Sequence, residues 1–387
     1  MSDTRASRPT FDFIVIGAGI AGASVAAELA QSARVALIEM ERQPGMHTTG
    51  RSAAIFAPTY GPAAIRALTR ASEGFYLAPP EDFATAPLLS ARQTMMIARE
   101  DQIDSLNAFV AEVGTETDIR VLEHHELMRE QPLLRESYVS AAVLDPSGSD
   151  IDVNGLHQGY LRMFRACGGV LHTNAPVSGL LPNSAGWRVD IPGDNLQAKV
   201  VVNAAGAWAD QIGALAGAGQ IGLIPKRRTA LIVAAPEGRN RPDAPLTVDI
   251  DEQFYLKPES GRLLISPADE TPSAPCDAQP EELDVAICID RIQRAFDLDI
   301  RRIQTKWAGL RSFVADKSPV AGFSQFAEGF FWLAGQGGYG IQTAPALARL
   351  AASMAAKRSV PTDILAEGLS LEDLAPARVE RPLEDAR

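Results

Sequence analysis

The chain has 387 residues, more than one hydrophobic core usually supports, so its length favours two domains. Hydrophobic residues make up 46% and charged residues 22%, as in ordinary globular enzymes, which argues against a disordered or fibrous protein. The formal net charge of -12 argues against nucleic acid or a membrane surface as partner, because an acidic surface repels phosphate groups.

The first predicted unit is a strand, a helix and a second strand. Residues 11–16 are apolar and β-branched, as in a buried parallel strand, and residues 23–32 are alanine-rich and favour a helix. Residues 34–39 predict the second strand, which ends in a carboxylate at Glu39. This order and length are typical of a βαβ unit.

The remaining elements follow in chain order after a loop at residues 42–61. Residues 102–113, 123–130 and 157–167 predict helices, residues 169–173, 198–202 and 330–334 predict strands, and the turn at 145–150 is a plausible domain boundary. Residues 226–268 alternate as in an antiparallel sheet. A helix is predicted at 341–356, and the polar tail after Pro361 is expected to lie on the surface.

A glycine motif, Gly17-x-Gly19-x-x-Gly22, lies between the first strand and the first helix. The first glycine permits a tight turn, the second lets the backbone approach a pyrophosphate, and the third packs the helix on the sheet. The helix N-terminus offers free N–H groups to phosphates, and Glu39 is placed to accept ribose hydroxyls. Together these features predict a bound dinucleotide.

Further motifs decide which dinucleotide is expected. The sequence resembles the D-amino-acid oxidase superfamily of FAD enzymes, most closely D-arginine dehydrogenase-like proteins, over nearly the whole chain. The motifs that carry the resemblance are residues 12–24 (DFIVIGAGIAGAS), 45–54 (GMHTTGRSAA), 152–161 (DVNGLHQGYL), 202–208 (VNAAGAW), 225–228 (PKRR), 254–258 (FYLKP), 307–313 (WAGLRSF) and 336–342 (QGGYGIQ).

The resemblance implies an α/β fold, in which a Rossmann-type (glutathione-reductase-like) FAD-binding domain contains an inserted α+β substrate domain with an antiparallel sheet. The FAD-binding domain would comprise residues 1–85, 152–217 and 316–387, and the substrate domain residues 86–151 and 218–315. FAD would be bound non-covalently. The residues predicted to contact it are Gly17, Gly19, Ile20, Ala21, Gly22, Glu39, Met40, Thr48, Thr49, Gly50, Arg51, Ser52, Ala53, Ala54, Val177, Asn203, Ala204, Ala205, Gly206, Trp208, Gly337, Gly338, Tyr339, Gly340, Ile341, Gln342 and Thr343.

The resemblance also implies a substrate site with Arg228, Arg311 and Tyr255, in which two guanidinium groups and a phenol hold a carboxylate. Arg227 competes with Arg228 for this role. Tyr60 resembles an aromatic lid residue, and the turn that contains Gly338 would point a helix N-terminus at the flavin. The catalytic set predicted from the resemblance is Arg228, Arg311, Tyr255, Tyr60 and Gly338.

The sequence departs from the D-arginine dehydrogenase-like relative, whose substrate is D-arginine, at the predicted substrate pocket. Ile55 and Thr94 stand where that relative has a histidine and a carboxylate, and Leu246 and Val248 lie in the same region. A substrate guanidinium without an acid partner is costly to bury. The pocket is therefore predicted to prefer a neutral or apolar side chain.

The implied reaction is oxidation of a D-amino acid to the imino or 2-oxo acid, by hydride transfer from Cα to flavin N5. The resemblance favours a dehydrogenase over an oxidase, with an unknown electron acceptor. The same arginine pair would also serve a secondary amine, such as sarcosine or an N-methyl amino acid, or a 2-hydroxy acid. A further alternative is a non-catalytic flavin-binding subunit of a larger complex.

Cellular context is inferred from what the sequence lacks. The three cysteines are widely spaced, which argues against a disulfide framework or a metal site and fits a reducing cytoplasm. No apolar run approaches the roughly 18 residues of a membrane-spanning segment, so no integral membrane segment is expected. The expected partner is a small, amino-acid-like substrate.

Overall fold

The computed structural model of the chain describes residues 10–114, 117–239 and 241–383. Its strands are β1 (Thr10–Ile16), β2 (Val35–Ile38), β3 (Ile55–Phe56), β4 (Leu89–Ala91), β5 (Thr94–Ala98), β6 (Arg120–Val121), β7 (Ala141–Asp145), β8 (Ser149–Ile151), β9 (Val170–His172), β10 (Gly179–Asn183), β11 (Gly186–Ile191), β12 (Asp194–Asn203), β13 (Ile224–Ala234), β14 (Leu246–Asp249), β15 (Tyr255–Glu259), β16 (Arg262–Ser266), β17 (Thr271–Pro272), β18 (Ile303–Phe313), β19 (Val320–Phe323) and β20 (Phe330–Ala334).

The α-helices of the described residues are α1 (Ile20–Ala30), α2 (Ala63–Leu77), α3 (Ile103–Val113), α4 (His124–Glu130), α5 (Val153–Ala166), α6 (Ala209–Leu215), α7 (Glu282–Ala295), α8 (Ala344–Ala355) and α9 (Thr362–Ala366). Every helix predicted from the sequence is present. None of the described helices combines the length and apolar composition that crossing a bilayer requires.

The first large sheet has a parallel centre. Strands β20, β12, β1, β2 and β9 lie side by side in parallel, while β10, β11 and β19 extend the sheet with antiparallel pairs. Alternate residues of β1 pack on opposite faces of this sheet, Phe13 and Val15 into one core and Ile14 and Ile16 into the other. The predicted βαβ unit and Rossmann-type fold are confirmed.

The second large sheet has nine strands in the order β17, β13, β16, β15, β14, β5, β7 and β6, with β18 paired to β13. It is antiparallel except for the pair β5 and β14, which is parallel. The antiparallel strands predicted over residues 226–268 are confirmed, since β13 to β16 pair antiparallel there; the parallel pair of β5 and β14 joins two separate segments of the chain through a long crossover. A small third sheet joins β3, β8 and β4.

The distribution of strands bears on the domain boundaries. The first sheet takes its strands from residues 10–38, 170–203 and 320–334, and the second from residues 94–145 and 224–313. The exact division at residues 85, 151, 217 and 315 stays a prediction. The turn predicted at 145–150 separates β7 from β8, which belong to different sheets.

Several boundaries differ from prediction. Helix α1 begins three residues earlier, at Ile20, and α8 begins three residues later, at Ala344, with Pro345 in its first turn. In the described part of the tail, residues 362–383, most residues are partly or fully exposed, but α9 forms there and Ile364 is completely buried.

Candidate active site

A cavity of about 390 Å³ is lined by residues from both large sheets. The carboxyl ends of β1, β2 and β12 contribute one wall, and β13 and β18 contribute the other. Open α/β sheets commonly bind ligands at the carboxyl ends of their parallel strands. The cavity is therefore the candidate active site.

The glycine turn after β1 has no room for side chains. Gly17 has a φ angle of +96°, and a Cβ atom there would lie 2.5 Å from the carbonyl oxygen of Ala204. A Cβ on Gly22 would lie 1.8 Å from the carbonyl oxygen of Gly17. Gly22 therefore packs α1 against the turn, while Gly17, Gly19 and the first residues of α1 face the cavity.

A buried carboxylate closes the end of β2. The side chain of Glu39 accepts hydrogen bonds from the backbone N–H groups of Ala18, at 2.8 Å, and Glu41, at 3.0 Å. Glu39 is 7% exposed and lines the cavity. These bonds fix its orientation, and its remaining lone pairs can accept hydroxyl groups of a ligand.

The loop at residues 45–54 is tethered to the second sheet. Arg51 Nη1 donates to the carbonyl oxygens of Ala278 and Ala308, at 2.8 and 2.9 Å, and the indole N–H of Trp307 donates to the carbonyl oxygen of Arg51 at 3.0 Å. Thr48 donates to the carbonyl oxygen of Leu310 at 2.6 Å. The Arg51 side chain thus holds the loop against β18.

Two buried polar atoms at the cavity wall have no hydrogen-bond partner among the described residues. They are Nδ1 of His47 and Nε2 of Gln336. The other ring nitrogen of His47 lies 2.9 Å from Glu41, and its ring lies against Trp208 with centroids 4.8 Å apart. Buried polar atoms are normally satisfied, so both atoms indicate a ligand with polar groups.

The second sheet presents its functional side chains on one face. In β13, Arg227 lies on the face that packs against α7 and the core. Arg228 points to the opposite face, because successive side chains of a strand alternate. Arg311 is paired with Lys226, two residues from Arg228, and therefore shares its face. Arg228, Arg311 and Tyr255 all line the cavity.

Arg311 is a half-buried cation without a protein acceptor. Among the described residues, no side chain or carbonyl oxygen makes a hydrogen bond or ion pair with its guanidinium. Burial opposes its charged form, but nearby Tyr255, Tyr60 and Glu252 raise the pKa of Arg311 overall. The guanidinium is therefore charged and free to bind an anion in the cavity.

Arg228 is held more firmly. Its Nε donates to the carbonyl oxygen of Asp269 at 2.9 Å, and its Nη2 lies 3.3 Å from Glu270. Arg227 instead forms ion pairs with Asp284, at 3.1 Å, and Glu281, at 2.7 Å. The structure thus places Arg228 at the cavity and its neighbour Arg227 outside it.

Two tyrosines cover the arginines from the side of α2. The rings of Tyr60 and Tyr339 lie edge to face with centroids 5.2 Å apart. Burial raises the pKa of Tyr60 well above its usual value and raises the pKa of Tyr339 to about 12. Both phenols therefore stay neutral and can donate hydrogen bonds at physiological pH.

Several residues predicted for the site do not line the cavity. Asn203 and Gln342 support it from outside, the former by donating to the carbonyl oxygen of Ala209 at 2.8 Å and the latter by accepting from the N–H of Ala57 at 3.2 Å. The complete set outside the cavity wall is Gly22, Gly50, Ala54, Asn203, Tyr339, Gln342, Thr343, Tyr60, Ile55, Thr94, Leu246 and Val248.

The predicted substrate-pocket residues lie farther along the second sheet. Val248 is paired with Tyr255, and Leu246 with Thr94, so these residues continue the face that carries Tyr255. Their part in substrate specificity stays a prediction. Ile55 lies on β3 in the small third sheet.

Two carboxylates near the arginines, Glu252 and Glu270, were not predicted from the sequence. Glu252, in the turn between β14 and β15, contributes electrostatically to the pKa values of Tyr60, Arg311 and Tyr339. Its φ angle is +54°, which is uncommon for a residue with a side chain. No local pattern in the sequence marks this position, since the hairpin alone brings it to the site.

Comparison with known proteins decides the family. The family described as DAO, FAD dependent oxidoreductase, matches residues 12–354. The chain belongs to this family. FAD is its cofactor, and the chain is an oxidoreductase, as the sequence predicted; the closer resemblance to D-arginine dehydrogenase-like proteins stays a prediction.

Relatives in this FAD-dependent oxidoreductase family differ in substrate. Glycine oxidase of Geobacillus kaustophilus is 23% identical over 371 residues, which cover 92% of this chain and 95% of that protein. Human dimethylglycine dehydrogenase is 30% identical over 155 residues, or 39% of this chain. The match spans only 18% of the length of that relative.

Solved structures share the fold. The crystal structure of glycine oxidase from Geobacillus kaustophilus has a TM-score of 0.82 and 22% identity, and covers 97% of this chain and 100% of that chain. The structure of L-proline dehydrogenase from P. horikoshii has a TM-score of 0.80 and 20% identity, with 96% and 98% covered. These likenesses confirm the fold class.

The residues around the cavity fit FAD. The side-chain-free turn at Gly17 suits a pyrophosphate, and the oriented carboxylate of Glu39 suits a ribose. The unpartnered atoms of His47 and Gln336 offer one acceptor or donor each to the cofactor's polar groups. The arginines lie at the opposite wall, on the second sheet, where they can hold a substrate against the cofactor.

Proposed function

We propose that this FAD-dependent oxidoreductase oxidises a small D-amino acid with a neutral or apolar side chain to the corresponding imino or 2-oxo acid. The observation that carries the proposal is the charged guanidinium of Arg311, which has no acceptor among the residues that the structure describes and shares the cavity with Arg228 and Tyr255. A buried cation without an acceptor is costly unless a ligand supplies the anion. A substrate carboxylate supplies it.

Arg311, Arg228 and Tyr255 contribute different contacts to the substrate carboxylate. Arg311 offers its full planar fork to the carboxylate, and Arg228 offers Nη1 and the second N–H of Nη2, since Nε and the other N–H of Nη2 already have partners. The phenol of Tyr255 can donate a further hydrogen bond. Bound FAD supplies the two-electron acceptor. The protein's contribution is to fix the substrate's orientation and to exclude water with Tyr60 and Tyr339.

The configuration and the side chain of the proposed substrate are inferred from separate observations. The D configuration comes from the motif resemblance, and the neutral side chain from the uncharged face that Thr94, Leu246 and Val248 add beyond Tyr255. Glu252 adds an acid near the site that the sequence-based argument did not include. A kinetic preference for D-arginine or D-lysine would show that Glu252 serves a cationic side chain and would overturn this part of the proposal.

A second candidate substrate is a secondary or N-methylated amine that carries a carboxylate, such as sarcosine or an N-methyl amino acid. The similarity to dimethylglycine dehydrogenase and the fold shared with L-proline dehydrogenase support it. L-2-hydroxyglutarate dehydrogenase, 25% identical over 215 residues, supports a 2-hydroxy acid in the same way. All three classes carry a carboxylate, so the arginine pair accommodates each.

An anaerobic flavin-reduction screen tests the proposal. Purified holoenzyme is mixed with D-amino acids, L-amino acids, N-methyl amino acids and 2-hydroxy acids, and flavin bleaching is followed by absorbance. Arg311→Met should lower the rate of flavin reduction by about 10-fold to 150-fold, as expected for the loss of a hydrogen bond to a charged group. Arg301→Met, at a side chain 86% exposed, is the matched control. A yellow protein that no compound bleaches would favour a non-catalytic flavin-binding subunit instead.

A further inference from the structure

Arg228 uses two of its three nitrogens before any ligand arrives. Nε donates to the carbonyl oxygen of Asp269, and Nη2 lies 3.3 Å from Oε1 of Glu270. Nη1 has no partner among the described residues. The side chain is 6% exposed, so the orientation of Nη1 and of the remaining N–H of Nη2 decides what Arg228 can contribute to the cavity.

The partner carboxylate is itself fixed from several directions. Glu270 Oε2 lies 2.7 Å from Nζ of Lys226 and 3.9 Å from Nζ of Lys317. Both ammonium groups lie over the ring of Phe313, at 5.4 and 5.7 Å from its centroid. Each oxygen of Glu270 therefore has its own cation, with Oε1 left for Arg228.

The backbone on either side of Glu270 is also held. Asp269 accepts hydrogen bonds from the N–H and the hydroxyl of Thr229, at 2.6 and 3.1 Å. Thr271 begins β17 and is paired with Arg227 on β13. The strand that carries Arg228 thus also positions the segment that binds its guanidinium.

We propose that Glu270 is a positioning residue that orients Arg228, so that the Nη1 end of its guanidinium faces the substrate carboxylate while Arg311 provides the main bidentate contact. The inference rests on the proposed function, because it concerns the same carboxylate-binding residues, Arg228, Arg311 and Tyr255, which we call the carboxylate clamp. Lys226 and Lys317 act one step farther away, by holding Glu270 in place.

A purely electrostatic role makes the opposite prediction. Removing a negative charge near the clamp would strengthen carboxylate binding, since Glu270 repels the bound anion. Two conservative variants separate the roles. Glu270→Gln keeps an oxygen at the same reach but loses the charge, and Glu270→Asp keeps the charge but withdraws it by one methylene group from Arg228.

The experiment titrates holoenzyme with propionate and follows the flavin absorbance, with propionamide as the uncharged control. We expect Glu270→Asp to raise the Kd of propionate about tenfold and Glu270→Gln to raise it less than about threefold. In turnover of a substrate identified by the flavin-reduction screen, Glu270→Asp should raise the KM for that substrate by a similar factor and change kcat by less than about threefold. Glu259→Asp is the matched control, because Glu259 forms an ion pair with Lys257 on the same sheet, and none of the ion pairs among the described residues joins it to an arginine.

Each other outcome has a definite meaning. An unchanged Kd in Glu270→Asp, or tighter binding in Glu270→Gln, would overturn the positioning role. Flavin content and the melting temperature identify a variant that has lost its fold, in which case the other variant still decides. A wild-type holoenzyme that binds propionate no better than propionamide would overturn the carboxylate clamp, and with it the proposed function.

Discussion

Substitution of Gly338 by alanine tests how tightly the turn before α8 fits the clamp. A Cβ atom at this position would lie 2.8 Å from Nη1, 3.1 Å from Cζ and 3.3 Å from Cδ of Arg311. Gly338 is not among the glycines with a positive φ angle, so alanine suits its backbone. The change should therefore act on Arg311 and leave the fold intact.

The expected size of the effect follows from these distances. Ordinary carbon contacts lie at about 3.5–4.0 Å, so the guanidinium must move by about 1 Å. A hydrogen bond to a charged group contributes about 1.5–3 kcal/mol, and its loss lowers affinity by about 10-fold to 150-fold. We expect the Kd of propionate to rise within this range in Gly338→Ala.

The measurement is the flavin absorbance titration with propionate, accompanied by the melting temperature and flavin content. Gly74→Ala is the control, because a Cβ there meets no atom within 4 Å and alanine is favourable in the middle of α2. A Kd in Gly338→Ala within threefold of wild type would refute the placement of Arg311 beside this turn.

Three other perturbations test different parts of the structure. Arg51→Ala removes the tether of its loop and should lower holoenzyme stability by about 2–4 kcal/mol with faster flavin release; an unchanged melting temperature would contradict this. Arg227→Met leaves Asp284 buried without its cation and should cost about 3–5 kcal/mol in urea unfolding, yet keep propionate affinity; weaker binding would place Arg227 in the clamp. The pKa of Tyr339 is raised to about 12, so its contribution to stability is present below pH 10 and is lost as the pH rises to 12. Tyr339→Phe should therefore make the unfolding free energy less steep over that window, and an equal slope would refute it.

The parts of the fold that local chemistry determines could be predicted from sequence. The turn at Gly17 needs a positive φ angle and an empty Cβ position, and only glycine meets both demands. The strand and helix around it have clear periodicity. Helix starts were less accurate, because alanine-rich segments such as α1 and α8 extend without a sharp signal at their first residue.

The candidate site was harder to predict where it depends on strand register. Arg227 and Arg228 are adjacent and chemically identical, and only the alternation of β13 shows which one faces the cavity. Glu252 and Glu270 approach the arginines through a hairpin turn and a cross-strand pairing, respectively. Contacts of this kind depend on the three-dimensional pairing of distant segments, which a single sequence does not specify.

Successive side chains of β13 point to opposite faces of the sheet, so one strand contributes both to the cavity and to the core. Even-numbered positions from 226 to 230 face the clamp and the cavity, and odd-numbered positions from 227 to 233 face α7 and the core. Substitutions at the even-numbered positions should therefore act first on ligand binding, and substitutions at the odd-numbered positions first on the free energy of unfolding.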